Sequence, residues 1–216
     1  MENFSAGFLA FELEQMPFVI ISLLVAFTVH EFAHAYTAYK FGDDTAKDQG
    51  RLTLNPVHHL DPIGTIFILI AGFGWARPVP VNRRNFRNPK LAGVLVSLAG
   101  PLSNFLIAFI ATGLLFFTIG SAPVFFVQLL NMMVWLNVLL FVFNLLPFPP
   151  LDGYRIIEDL APPHIRVKMT QYEQYGVLIF LILVFTPLDR FTIQPIFSVA
   201  IPAVIGGFQS IFSLFL

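Results

Sequence analysis

The sequence predicts an all-α integral membrane protein of about five to six transmembrane helices, with a re-entrant or short β segment between the first two firm spans. Three observations lead there. Hydrophobic residues make up 56% of the 216-residue chain and charged residues only 12%, and the mean hydropathy is +0.77, outside the usual range of soluble domains. The 26 phenylalanines fit a surface that faces acyl chains, whereas a soluble protein would have to bury nearly all of them. Apolar runs also recur at about 20 residues or more, the length a helix needs to cross the hydrocarbon core.

The N-terminal residues MENFSAGFLAFELEQM are acidic and lack a basic n-region and small-residue cleavage site, so they are expected to belong to the mature protein. Pro17 to Tyr39 is the first firm span. Ile63 to Gly74 is apolar but shorter and carries Gly64, Gly72 and Gly74 before the extended-looking Arg77-Pro-Val-Pro-Val, which predicts a re-entrant or sheet-like piece lining a cavity. Leu91 to Ile119 and Pro123 to Phe148 are the second and third firm spans, and Phe191 to Leu216 is the fourth. Between them Tyr175 to Leu188 is counted as a further span, although at 1.5 Å per residue it covers only about 21 Å. The chain reads as a single membrane-embedded domain, 1–216, with a core at 17–160 and C-terminal helices at 174–216.

A net charge of −1 leaves no basic footprint for nucleic acid. With no cysteine, any metal must be held by His, Asp or Glu. Lys40, Lys47, Arg51, Arg77, Arg83, Arg84, Arg87 and Lys90 lie between the first two firm spans, and Arg155, Arg166 and Lys168 follow the third, so both regions are expected in the cytosol with only Arg190 opposite.

Chemistry concentrates in the first span, where MPFVIISLLVAFTV leads into His30-Glu31-Phe32-Ala33-His34. On a helix this HExxH spacing stacks His30 and His34 about 6 Å apart on one face, where they can share a tetrahedral Zn²⁺. Glu31 sits beside that face, free to act on a water without taking a metal position. The bland alternative is a polar patch that binds neighbouring helices, but a carboxylate at membrane depth costs at least about 2.5 kcal/mol and asks for compensation.

Two histidines leave a hydrolytic zinc one protein ligand short. Asp152 is the best candidate: Pro147, Pro149 and Pro150 break the third span just before it, and Gly153 permits close approach. Its alternative role is an N-cap for the helix that follows. His59 and Asp61, flanked by Pro56 and Pro62, read as turn residues and stand outside the metal site.

These blocks resemble the site-2 protease family, whose members cleave substrates within the membrane. The likeness rests on the His30 to His34 block, on Ser97-Leu-Ala-Gly100-Pro101-Leu-Ser-Asn104, and on Asn144-Leu-Leu-Pro147-Phe-Pro-Pro-Leu151-Asp152-Gly153. Gly50 to Gly64 is similar to the small prokaryotic branch, and the chain has no room for PDZ or CBS domains. The resemblance implies that His30, His34 and Asp152 hold zinc, that Glu31 is the catalytic base, and that Asn104 donates to the substrate carbonyl or oxyanion, although a helix-binding amide is the plainer reading of Asn104 and of Asn144. It also implies transmembrane protein substrates, a lipid environment, and a multi-pass position in the cell membrane with the site toward the cytosol. A silent membrane-helix or metal-binding protein and a metal-ion transporter are the competing classes.

Overall fold

The structure is a computed structural model and describes residues 10–72, 74–118 and 120–215. Residues 1–9, the first part of the acidic N-terminal stretch, lie outside the described residues. Helices α1 (Met16–Lys40) and α2 (Thr45–Asp48) precede a short helix α3 (Pro62–Ala71). The long helices α4 (Pro89–Thr118) and α5 (Val124–Asn144) follow. Then come α6 (Asp152–Leu160), α7 (Pro163–Phe185), α8 (Asp189–Thr192) and α9 (Gln194–Ser213).

Four of these, α1, α4, α5 and α9, are long and apolar enough to cross a membrane among the described residues. Their contacts fix their directions. His30 and His34 of α1 meet Asn104 and Val96 of α4, so the two helices are antiparallel. Phe18 packs at a tilt against Phe125 near the starts of α1 and α5, and Leu23 and Phe27 pack with Leu136, so these two run parallel. The start of α9 packs at Ile193 against Leu146 and Leu151, while Phe208 and Phe212 meet Phe109 of α4, so α9 runs with α4. The result is a bundle with alternating directions. Its interior near the far end is a cluster of Ala108, Ala111, Leu130, Val134, Val138, Val142 and Phe208.

Against the expectation of about five to six spans, four helices among the described residues have the length and composition of a span, and the difference lies in Tyr175 to Leu188. That stretch belongs to α7, whose first half carries His164, Arg166, Lys168 and Glu173. Only Tyr175 onward is apolar, about 16 Å of helix. The apolar half of α7 packs near the site's end of the bundle: Gly176 lies against Pro149, and Phe180 joins the cluster of Leu146, Leu151 and Ile193. Arg190 lines the same cavity as Asp152.

The segment after the first span also differs from its sheet-like reading. Pro62–Ala71 is helical, capped by Asp61, whose Oδ1 accepts from the Gly64 N–H at 2.8 Å, and closed by Gly72 at φ 70°. The chain then returns in extended form, and the one bridge there pairs Leu60 with Ala76 antiparallel. No strand forms among the described residues. Asp61 is thus a cap, and buried His59 is a loop anchor whose ring bonds the Thr53 carbonyl at 2.6 Å.

Candidate metal centre

Helix α1 delivers both histidines one turn apart, and α4 sets their rings from behind. His30 Nδ1 lies 2.7 Å from Asn104 Oδ1, and His34 Nδ1 lies 2.7 Å from the Val96 carbonyl. Both partners only accept, so each Nδ1 carries the proton and each Nε2 presents a lone pair. The two Nε2 atoms face each other at 3.0 Å.

Asp152 completes the group. Helix α5 ends at Asn144, and the proline-rich turn to Leu151 brings the chain back onto the site. Gly153 allows the return, since a Cβ there would press on the Leu145 and Leu146 carbonyls. Asp152 is the first residue of α6, and Leu151, without a side-chain bond, takes the cap position. The Asp152 side chain turns instead to the histidines, its Oδ2 3.3 Å from His30 Nε2 and 3.4 Å from His34 Nε2.

Three atoms that all offer lone pairs thus face one another across 3.0–3.4 Å. Asp152 Oδ2 is fully buried with no hydrogen-bond partner. Such an arrangement repels itself unless a proton or a cation sits within it. Ligand atoms of a tetrahedral zinc with bonds of about 2.0–2.1 Å lie about 3.3–3.4 Å apart, so the donor set and its spacing fit that ion. His30, His34 and Asp152 form the one group of three possible metal-holding side chains among the described residues.

Glu31 stands beside the group. Its Oε2 accepts the Val79 backbone N–H at 2.9 Å, so the extended return of residues 75–81 reaches the site through the main chain. All four residues line a cavity of about 1500 Å³ whose wall includes Trp75, Val79, Trp135, Asn144 and Ile193.

Asn104 departs from its expected place. It is fully buried behind His30, and its Nδ2 donates to the Ala26 carbonyl at 3.2 Å and to Asn137 Oδ1 at 2.9 Å. Both its acceptor and its donors are engaged away from the cavity. Asn144 lines the cavity, with Nδ2 bonded to its own helix at the Leu140 carbonyl, 2.9 Å away. Val79, Val96 and Asn137 bond Glu31, His34 and Asn104 respectively, contacts that sequence reasoning missed. Two act through backbone groups that leave no residue signature, and Asn137 is one more amide in an apolar span.

A profile of peptidase family M50 matches residues 121–186, which include the Asn144 to Gly153 block. A protein of Bacillus subtilis (strain 168) named "Putative zinc metalloprotease YwhC" is 55% identical over 212 residues, 95% of this chain and 97% of that relative. Proteins named "Putative zinc metalloprotease Rip2" are 32% identical over 174 residues in Mycolicibacterium smegmatis and 33% over 183 residues in Mycobacterium tuberculosis (strain H37Rv), in both cases over 78% of this chain and 67% of the relative. No solved structure matches. With a relative this similar over nearly its whole length, the chain belongs to peptidase family M50, the site-2 protease family.

Proposed function

We propose that this chain is an intramembrane zinc metalloprotease that hydrolyses peptide bonds in or near transmembrane segments of membrane proteins. The observation that carries the proposal is the convergence of His30 Nε2, His34 Nε2 and Asp152 Oδ2 within 3.0–3.4 Å, with the Glu31 carboxylate beside them on the wall of one cavity. Family membership and the names of the relatives support the same activity.

His30, His34 and Asp152 would hold the zinc. When bound there it supplies Lewis acidity toward a scissile carbonyl and makes a water more acidic. Glu31 takes the proton of the attacking water and passes it to the leaving amine. Asn104 is assigned to positioning: its carbonyl fixes the His30 tautomer, and its engaged amide is not offered to an oxyanion. A substrate helix has its amides locked in its own bonds and must unwind locally before attack. Residues 75–81, extended along the cavity, would give such an unwound strand an edge to pair with.

The α3 helix and its extended return are read as a re-entrant element at membrane depth, supported by a helix of 10 residues, too short to span. The site is placed toward the cytosol of a cell membrane. Supporting this, the basic segments around Lys40 to Lys90 and Arg155 to Lys168 lie at the site's end of the bundle. The whole chain, 1–216, is read as one catalytic domain in contact with lipid.

The test is cleavage of a single-span membrane protein by the purified protein in detergent, with zinc measured alongside. Wild type with about one zinc per chain should cleave, and both Glu31→Gln and chelator-treated protein should not. Wild type that binds no metal would sink the proposal. Uptake of metal into vesicles, the mark of a transporter, is not expected, because the possible metal-holding side chains among the described residues form one group and not a series along a path.

A further inference from the structure

The extended segment that touches Glu31 is itself held by a buried cation. Arg51, in the loop after α2, is only 5% exposed. Its Nη2 donates to the Arg77 carbonyl at 2.7 Å and its Nη1 to the Pro78 carbonyl at 3.3 Å. The next residue, Val79, donates its N–H to Glu31 Oε2 at 2.9 Å. The Arg77 N–H reaches the His59 carbonyl at 2.8 Å, and the Asn82 N–H reaches Asp43 Oδ2 at 2.7 Å. Residues 77–82 are thus pinned by three charged side chains, one of which is the proposed base.

A planar fork of donors suits adjacent carbonyls in a way the single ammonium of lysine does not. Burial lowers the pKa of this guanidinium, while the charge of Glu31 raises it, which marks the carboxylate as its electrostatic neighbour. A carboxylate with one oxygen bonded to a fixed N–H is also restrained in rotation. Its other oxygen then keeps one direction, and proton transfer depends steeply on such geometry.

We propose that Arg51 is a positioning residue for the reaction: by clamping the Arg77 and Pro78 carbonyls it holds the Val79 N–H on Glu31 and so aims the base. This rests on the protease reading of the site. Arg51 lies outside the wall of the cavity and touches neither the histidines nor Asp152, so its effect passes through the strand.

The experiment uses the full chain in detergent with a single-span membrane substrate and compares Arg51→Met, Arg51→Lys, Val79→Pro and the double variant Arg51→Met with Val79→Pro. Proline at 79 deletes the N–H while keeping an extended backbone between two existing prolines. Arg51→Met and Val79→Pro should each lower kcat by about 10–100-fold, the usual loss for a supporting contact. Zinc content should stay unchanged and KM within about twofold. Arg51→Lys should recover part of the loss, and the double variant should be no worse than the worse single one, because both act on one contact. Losses that multiply in the double variant, a loss of zinc, or wild-type kcat in Arg51→Met would overturn the proposal. Hydrogen exchange of residues 74–82 supplies a readout without turnover: Arg51→Met should exchange faster there, and equal exchange would overturn the clamp. Should the wild type fail to cleave, or Glu31→Gln remain active, the protease reading falls while the exchange measurement still decides the clamp.

Discussion

Gly100 of α4 lies directly against His30: a Cβ on Gly100 would stand 2.6 Å from His30 Nε2, and it would meet His34 Nε2 as well. Neither ring can retreat, because Asn104 and the Val96 carbonyl hold them from behind. The space a methyl group would fill is the space into which both lone pairs point. Gly100→Ala should therefore lower zinc affinity at least about tenfold while leaving helix content unchanged. Zinc titration against a competing chelator, with circular dichroism as the control, checks this, and full zinc affinity in the variant would mean the cation sits elsewhere.

Asn104→Ala separates two roles for one amide. As the partner of His30 Nδ1, its loss should weaken zinc binding about 10–100-fold, and kcat should return when zinc is saturating. A donor to the oxyanion would instead leave zinc affinity intact and depress kcat at saturating metal. The first pattern is expected, since the Asn104 amide already bonds Ala26 and Asn137.

What could be read from the chain was what local spacing encodes. A four-residue step from one histidine to the next fixes a shared helix face, and three prolines before Asp152 announce a turn. Which way Asn104 faces depends on the packing register of α1 against α4, residues 74 positions apart, and no local pattern records that. Val79 acts through its N–H and any residue except proline has one, so its approach to Glu31 was invisible. Arg51 looked like one more loop cation. Helix α3 did leave signals, Asp61 as cap, Pro62 in the first turn and Gly72 at the end. Its shortness, the density of glycines at Gly64, Gly72 and Gly74 and the extended-looking Arg77-Pro-Val-Pro-Val pointed the other way. Most of Tyr175 to Leu188 is the apolar half of a longer helix, and an apolar window does not report the charged half-helix joined to it.

Asp43 offers a pH test outside the spans. Burial alone would raise its pKa, but hydrogen bonds from the Thr45 hydroxyl, the Asn82 N–H and Asn85 Nδ2 hold it below the ordinary carboxylate value. A depressed folded pKa means that the stabilisation is complete above the unfolded value, about 3.9, and is lost as pH falls through the lower folded value. Thermal unfolding of wild type should thus exceed that of Asp43→Asn by a constant margin at neutral pH. That margin should shrink only below about pH 4. A margin that instead grows on acidification would contradict the assignment.

Arg83 ties the extended segment to the helix that carries Asp152. Its Nη1 and Nη2 each lie 3.0 Å from a carboxylate oxygen, of Glu158 and Asp159 respectively, and these acids are only 2% and 1% exposed. Arg166 bonds Asp159 at 2.9 Å and Thr170 bonds Glu158 at 2.6 Å, so the acids keep some compensation when Arg83 is lost. Breaking a buried pair by removing one partner costs about 3–5 kcal/mol. With the Arg83 side chain 25% exposed and the other partners in place, about 2 kcal/mol is expected for Arg83→Gln. Because Asp152 opens the same short helix, zinc affinity should fall along with the unfolding midpoint. Adding Glu158→Gln to Arg83→Gln removes one of the stranded charges and should restore part of the stability. Were the double variant less stable than Arg83→Gln alone, the cost would lie in lost packing of the arginine stem, and the ion pair would not be what sets the depth of Asp152.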